Sequence, residues 1–358
     1  MTNVKSLIIG RQLSAHNDAH VVFSKKQEKR LADFINEMAN NGYEFSRREL
    51  LTLTADFAAH SGMCGVEKVL SLDWLYGFIV RTGITAGLVP ASSVHSENQA
   101  VANYNHSEKC SQACTEENFR QYFLRLGRCL EAHRLRNQMD RIYNVDEVAL
   151  SHQYKPNKIV HKRGVFCQEV SAWKGRIVTL ICCGSAAGHV VPPYSILPGL
   201  LPGHTVSPPP GTNTTMSETG WSTADIFFNW LSNHFLPNLP VPPTEQEPVL
   251  LIYNGHKSHV NMTTLSWAVR HHIVLFVIPA YTSHFLQPLS VACFAPLEES
   301  YTKRKSALKK TRPSGKLAFI DLAQLGCAAY TEAMTVANLQ SAFRTTGIVP
   351  FTGIYYST

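Results

Sequence analysis

The chain has 358 residues, of which 44% are hydrophobic and 16% charged, with a formal net charge of +7. That length supports a sizeable core and two domains, and charge this sparse, against roughly 25% in ordinary globular chains, excludes a disordered polyelectrolyte. The mildly basic balance permits a polyanionic partner without demanding one.

Nine scattered cysteines, odd in number and without framework spacing, indicate reduced thiols in an intracellular compartment. No apolar run reaches the length of a membrane span, and Leu7-Ile8-Ile9 is too short for a secretory signal.

Residues 1–22 show no period and are expected to be a leader or a remnant. Ser24 and Gln27 make a capping-box signature ahead of Leu31, Phe34, Ile35 and Met38, and Asn41-Gly42 stops that helix. Ser46 with Glu49 repeats the signature before Leu50, Leu53, Phe57 and Ala58, which end near Gly62. A third helix starts at Ser71, with Leu72, Leu75, Phe78 and Ile79 expected inward. Three short helices over 23–83 fit a helix-turn-helix module, or equally a three-helix interaction domain. Its basic residues are offset by acids, so pattern alone does not decide.

Residues 84–115, rich in Ala, Ser, Asn and Gly, read as a linker. A helix is expected over roughly Glu116–Arg136, then a short β-prone run ending in the acids Asp146 and Glu147. Further strands are expected at Arg176–Cys183 and Tyr194–Leu197, a loop at Pro198–Thr215, and a helix at Thr223–Phe235. The run Val249–Tyr253, led by Pro248 and ended by Asn254-Gly255, reads as a central strand buried on both faces. A helix near Met262–His272 and a strand Ile273–Ile278 follow. Ser283–Ser290 then leads into a helix broken near Pro296, and two helices beyond Pro313 close the chain. The order of elements indicates an α/β sheet with flanking helices.

In such sheets the first polar side chain beyond a strand is where chemistry is presented. Two-metal phosphoryl chemistry needs about three converging carboxylates, and Asp146, Asn254 and Ser290 occupy the matching places. The motifs Asn144-Val-Asp-Glu147, Gly255-His-Lys-Ser-His259, Ser283–Phe294 and Phe343–Phe351, with Trp221 and Phe228–Leu231, resemble the pogo and Tigger transposase-derived DDE family. That family includes the jerky and centromere-protein-B relatives. Ser46–Leu50 and Trp74–Phe78 resemble the second half of its centromere-protein-B-type helix-turn-helix.

The resemblance covers roughly residues 23–352 and implies an RNase H-like domain over 116–352. It makes Asp146 the first metal-binding acid and puts Asn254 and Ser290 where the second and third acids belong. Two of three acids are then absent, so the expectation is a degenerate endonuclease that holds no metal, or Asp146 alone if any. No cofactor is expected; Mg²⁺ enters only under the alternative of a living transposase. The implied role is nuclear binding of double-stranded DNA, with Arg47, Arg48, Lys68 and Arg81 as contacts and homo-oligomerisation open. A protein-interaction scaffold without DNA binding is the other alternative.

His256 and His259 follow a strand, so their spacing does not place them on one helix face, and Ser258 reads as a helix cap. No hydrolase triad or phosphate-binding loop is present. The run Lys303, Arg304, Lys305, Lys309, Lys310, Arg312 and Lys316 reads as a solvated helix face, a DNA-backbone contact or a nuclear import signal.

Overall fold

The computed structural model describes residues 22–43, 45, 47–63, 70–84, 113–150, 176–199, 212–254, 262–312 and 317–352. The chain divides into two compact units, Met1–Ala102 and Asn103–Thr358. Ser46, Lys68, His256, Ser258, His259 and Lys316 lie outside the described residues, as do most of the expected leader and linker.

The first unit holds three helices, α1 (Lys25–Asn40), α2 (Arg47–His60) and α3 (Leu72–Thr82). Ser24 and Gln27 form the expected capping box on α1, and the Ser71 side chain accepts from the Trp74 N–H at the start of α3. Both caps satisfy amides that a helix leaves unbonded in its first turn. Leu31, Ile35, Leu50, Leu75 and Phe78 are buried. Phe23 meets Phe57 and Trp74 edge-on, and Trp74 stacks on Phe78 with centroids 5.2 Å apart.

Leu72 departs from its expected inward position. It is 48% exposed, and with Tyr76 (42%) and Val80 (58%) it forms an outward stripe at four-residue spacing. The inward face of α3 is set instead by Trp74, Leu75 and Phe78.

The second unit is a six-stranded mixed sheet flanked by helices, in the order β4-β3-β2-β1-β5-β6. Its strands are β1 (Ile142–Leu150), β2 (Val178–Ser185), β3 (Val190–Pro198), β4 (Asn213–Ser217), β5 (Val249–Asn254) and β6 (Ile273–Ile278). β1, β2 and β3 run antiparallel in succession, while β5 is parallel to β1 and β6 to β5. This is the α/β, RNase H-like arrangement expected.

The helices are α4 (Glu116–Ala132), α5 (Ala224–Trp230), α6 (Met262–Arg270), α7 (Ser283–Leu286), α8 (Phe294–Thr311), α9 (Phe319–Ala333) and α10 (Val336–Thr345). On one face of the sheet α4 packs over β5 and β6, while α8, α9 and α10 cover β1 and β2. On the other face Tyr143, Phe227, Trp230, Phe235 and Tyr253 form an aromatic layer.

Three expectations about this unit are corrected. β1 does not end at its acids: it runs on to Leu150, and Asp146 is its fifth residue. Val148 and Leu150 keep the buried side of the alternation while Glu147 and Ala149 are half-buried, so the period of two continues through the charges. The helix near Pro296 is not broken. Pro296, which has no N–H to give, is the third residue of α8 and falls just after a wider turn that takes up its ring. A π turn, Leu289–Cys293, leads in, with the Phe294 N–H bonding the Leu289 carbonyl. Finally, the expected loop Pro198–Thr215 overlaps strands at both ends: Pro198 closes β3, and Asn213–Thr215 begin β4, an edge strand paired to β3.

Candidate functional site

The site is built by strand register. Asn144 pairs with Ile252 across the parallel β1/β5 ladder. Two residues further on, the same face of each strand presents Asp146 and Asn254. Asn254 is the last residue of β5, as expected. The segment 283–293 brings Ser290 over the same point.

The three side chains meet. The Ser290 hydroxyl donates to Asp146 Oδ2 at 2.7 Å, and Asn254 Nδ2 approaches Oδ1 at 3.4 Å. The Glu147 N–H also donates to Oδ1, at 2.9 Å. Asp146 is 8% exposed. Burial, the largest influence, pushes its carboxyl up to about 6; hydrogen bonds from Ser290, the Glu147 amide and Gln287 restrain that rise. Opposite Asp146 on β2 stands Cys182, whose thiol is held well above its ordinary range by burial.

This donor set does not fit two dications. Hard cations need anionic oxygens, and the cluster offers one carboxylate, already accepting three hydrogen bonds, with a neutral amide and a hydroxyl. Glu147 adjoins Asp146 in sequence, but alternation sends it to the opposite face of β1. Glu298 and Glu299 stand on α8, about two turns past Ser290. Among the described residues no three His, Cys, Asp or Glu side chains gather to hold a metal.

A second layer of the site was not foreseen. Asn144 and Gln287 are fully buried. Asn144 Nδ2 donates to the Ile252 carbonyl at 2.8 Å and to Gln287 Oε1 at 2.9 Å. Its Oδ1 accepts the Leu289 N–H at 3.0 Å, and Gln287 Nε2 donates to the Val145 carbonyl at 3.0 Å. Two amides thus pin the segment bearing Ser290 to β1 and β5. The available signal was a lone amide inside each of two apolar runs, Ile142–Val145 and Phe285–Leu289, since buried amides need partners.

In the first unit the candidate DNA contacts are spread over several interactions. Arg81 grips the buried Glu28, its Nε near both carboxylate oxygens and its terminal nitrogen 2.6 Å from Oε1. The Arg47 guanidinium lies 5.2 Å from the Tyr76 ring centroid. The Arg48 carbonyl accepts the Thr52 hydroxyl. Residues 22–84 carry eight Lys and Arg against eight Asp and Glu. Within the basic run along α8 and just beyond it, Arg304 pairs with Glu332 and Arg312 with Asp321, and Lys305 lies over Tyr301. Lys303, Lys309 and Lys310 are exposed.

Comparison with known proteins places this site in context. The MFS-type transporter clz9 of Cochliobolus lunatus is 32% identical over 182 residues, covering 48% of this chain. The chain spans only 19% of that transporter's length. Among the described residues no helix is long and apolar enough to cross a membrane.

The catalytic domain of the Mos1 mariner transposase is 15% identical, covers 68% of this chain and 97% of its own, and has a TM-score of 0.33. The Mos1 mariner paired end complex with Mn is 13% identical, covers 97% and 83% respectively, and has a TM-score of 0.35. Residues 174–340, which run from just before β2 into α10 and include Asn254 and Ser290, match the DDE superfamily endonuclease family.

Proposed function

We propose that this chain is a transposase-derived protein of the pogo and Tigger kind, with centromere-protein-B-type helices, that binds double-stranded DNA in the nucleus and no longer cuts it. The observation carrying the reading is the state of Asp146. It is the single acid of the cluster, buried and hydrogen-bonded to Ser290. A pocket that must hold two dications about 3.5–4 Å apart requires negative charge that Asn254 and Ser290 do not provide. Arg47 and Arg48, at the start of α2, are the proposed DNA contacts, while Arg81 serves the fold through Glu28.

The test restores the acids. Asn254→Asp with Ser290→Asp should regain Mn²⁺ binding in calorimetry, while the parent chain binds none and leaves an inverted-repeat duplex uncut in Mg²⁺ or Mn²⁺. Nicking by the parent chain would overturn the proposal.

A second reading, a protein-interaction scaffold without DNA binding, is favoured by one observation. The outward face of α3 is apolar, through Leu72, Tyr76 and Val80, on a stretch whose formal charges balance. A salt titration separates the two. A DNA binder loses affinity steeply as salt rises, whereas the scaffold shows no duplex binding even at low salt.

A further inference from the structure

Cys114 differs from the other described cysteines. Cys129, Cys182, Cys183, Cys293 and Cys327 are buried, while Cys114 is half-buried and reachable. Burial pushes the thiols of Cys182, Cys183, Cys293 and Cys327 upward, which keeps them protonated and inert. Cys114 instead has an imidazole beside it: its Sγ lies 3.6 Å from Nε2 of His284, on α7. The Tyr281 carbonyl is 3.9 Å away.

Cys114 also directly precedes Thr115, the N-cap of the 17-residue α4, where the helix dipole favours negative charge. Glu116 and Glu117 in the first turn of α4 oppose a thiolate, but Glu117 is engaged by Arg120 at 2.8 Å. Among the described residues the imidazole is the closest group able to take the proton.

We propose that Cys114 and His284 form a reactive thiol–imidazole couple, a site of reversible S-thiolation by small-molecule disulfides. The thiol proton passes to His284 Nε2, and the sulfur attacks one sulfur of the disulfide. A new S–S bond forms to Cys114 as the old one breaks, and the departing thiolate takes the proton from the imidazolium. A second small thiol reverses the exchange. No electron is gained or lost beyond those of the disulfide consumed.

The experiment uses the full chain with oxidised glutathione and, separately, iodoacetamide, and locates adducts by peptide mass mapping. At pH 7, Cys114 of the folded chain should react on the order of 10-fold faster than the same residue in urea. The five buried cysteines should stay unmodified. His284→Gln should return the rate to the unfolded value and raise the pH midpoint of the reaction; Cys114→Ser should remove the adduct. Equal rates for Cys114 in the folded and unfolded chain overturn the proposal, and that comparison needs no variant. An unchanged rate and pH profile in His284→Gln overturns it as well. If that variant fails to fold, labelling of Cys182 and Cys183 reveals it, and the parent comparison decides.

Discussion

Replacing Asp146 with Asn should stabilise the second unit at neutral pH, although it removes the one acid of the candidate site. The Asp146 carboxyl sits at about 6 in the fold against 3.8 for an ordinary aspartate. Below the lower value it is protonated in both folded and unfolded chains. As pH rises from there to about 6, the unfolded chain ionises first, so stability is lost across that window and stays lost above it. A gap of about two pH units at about 1.4 kcal/mol each amounts to roughly 3 kcal/mol.

Asparagine stays neutral throughout: its oxygen can keep the Glu147 N–H and the Asn254 amide in place of Oδ1, and its NH2, in place of Oδ2, can donate to the Ser290 hydroxyl, which turns to accept. The net expectation is a gain of about 1–3 kcal/mol at pH 7.5, shrinking as pH falls toward 4. Urea unfolding of the full chain across that range, followed by tryptophan fluorescence and circular dichroism, measures it. A variant less stable than the parent at pH 7.5, or a difference that does not change with pH, would refute the assignment of a buried, poorly solvated carboxylate.

Two further substitutions probe what holds the site in place. Asn144→Ala and Gln287→Ala should each cost about 2–3 kcal/mol by stranding buried amide partners. Together they should cost much less than the sum, because both remove one network; additive losses in a double-mutant cycle would show that the two amides act separately. Tyr330→Phe should cost about 1–3 kcal/mol in the same denaturation assay. The Tyr330 hydroxyl accepts from the Cys183 N–H at 3.3 Å and lies 2.6 Å from the Val191 carbonyl, where the β2/β3 register shifts. An unchanged midpoint would mean that water replaces the hydroxyl there.

What was legible in the sequence follows from the range over which each signal acts. β6 matched its expected bounds, and β5 matched within a residue, because unbroken apolar runs between turn residues are self-contained statements. The Ser24 cap acts within three residues and was equally plain, and the helix expected to start near Ser71 does so, with Ser71 as its cap. β1 was cut short because two acids look like a strand end, although Val148 and Leu150 carry the alternation past them. β4, reading Asn-Thr-Thr-Met-Ser, has no apolar run; its strand pairing is with β3. The Glu28–Arg81 grip joins residues 53 apart in sequence, and no local period reports such a contact. Asp146, Asn254 and Ser290 were expected to share one site; the β1/β5 register and the Asn144–Gln287 anchor that bring them together act across long sequence separations, which no local signal reports.

The same chemistry explains why a cluster with one acid is less costly to this fold than one with three. Two ionised carboxylates about 4 Å apart repel by roughly 4 kcal/mol at an effective dielectric of about 20. A pocket with acids in all three places would bear several such terms until cations entered. With Asn254 and Ser290 in two of those places, the repulsion is gone and each neutral group can donate to the remaining carboxylate, as both do here. The carboxylate still lacks the solvation it would have in water, which is the burial that lifts it to about 6. Fold stability and metal-dependent cleavage therefore pull in opposite directions at these positions. The Asn254→Asp, Ser290→Asp chain should accordingly be less stable than the parent without Mn²⁺ and recover as the ion is added, and a restored chain whose unfolding midpoint ignores Mn²⁺ would break the link drawn between charge at these positions and metal binding.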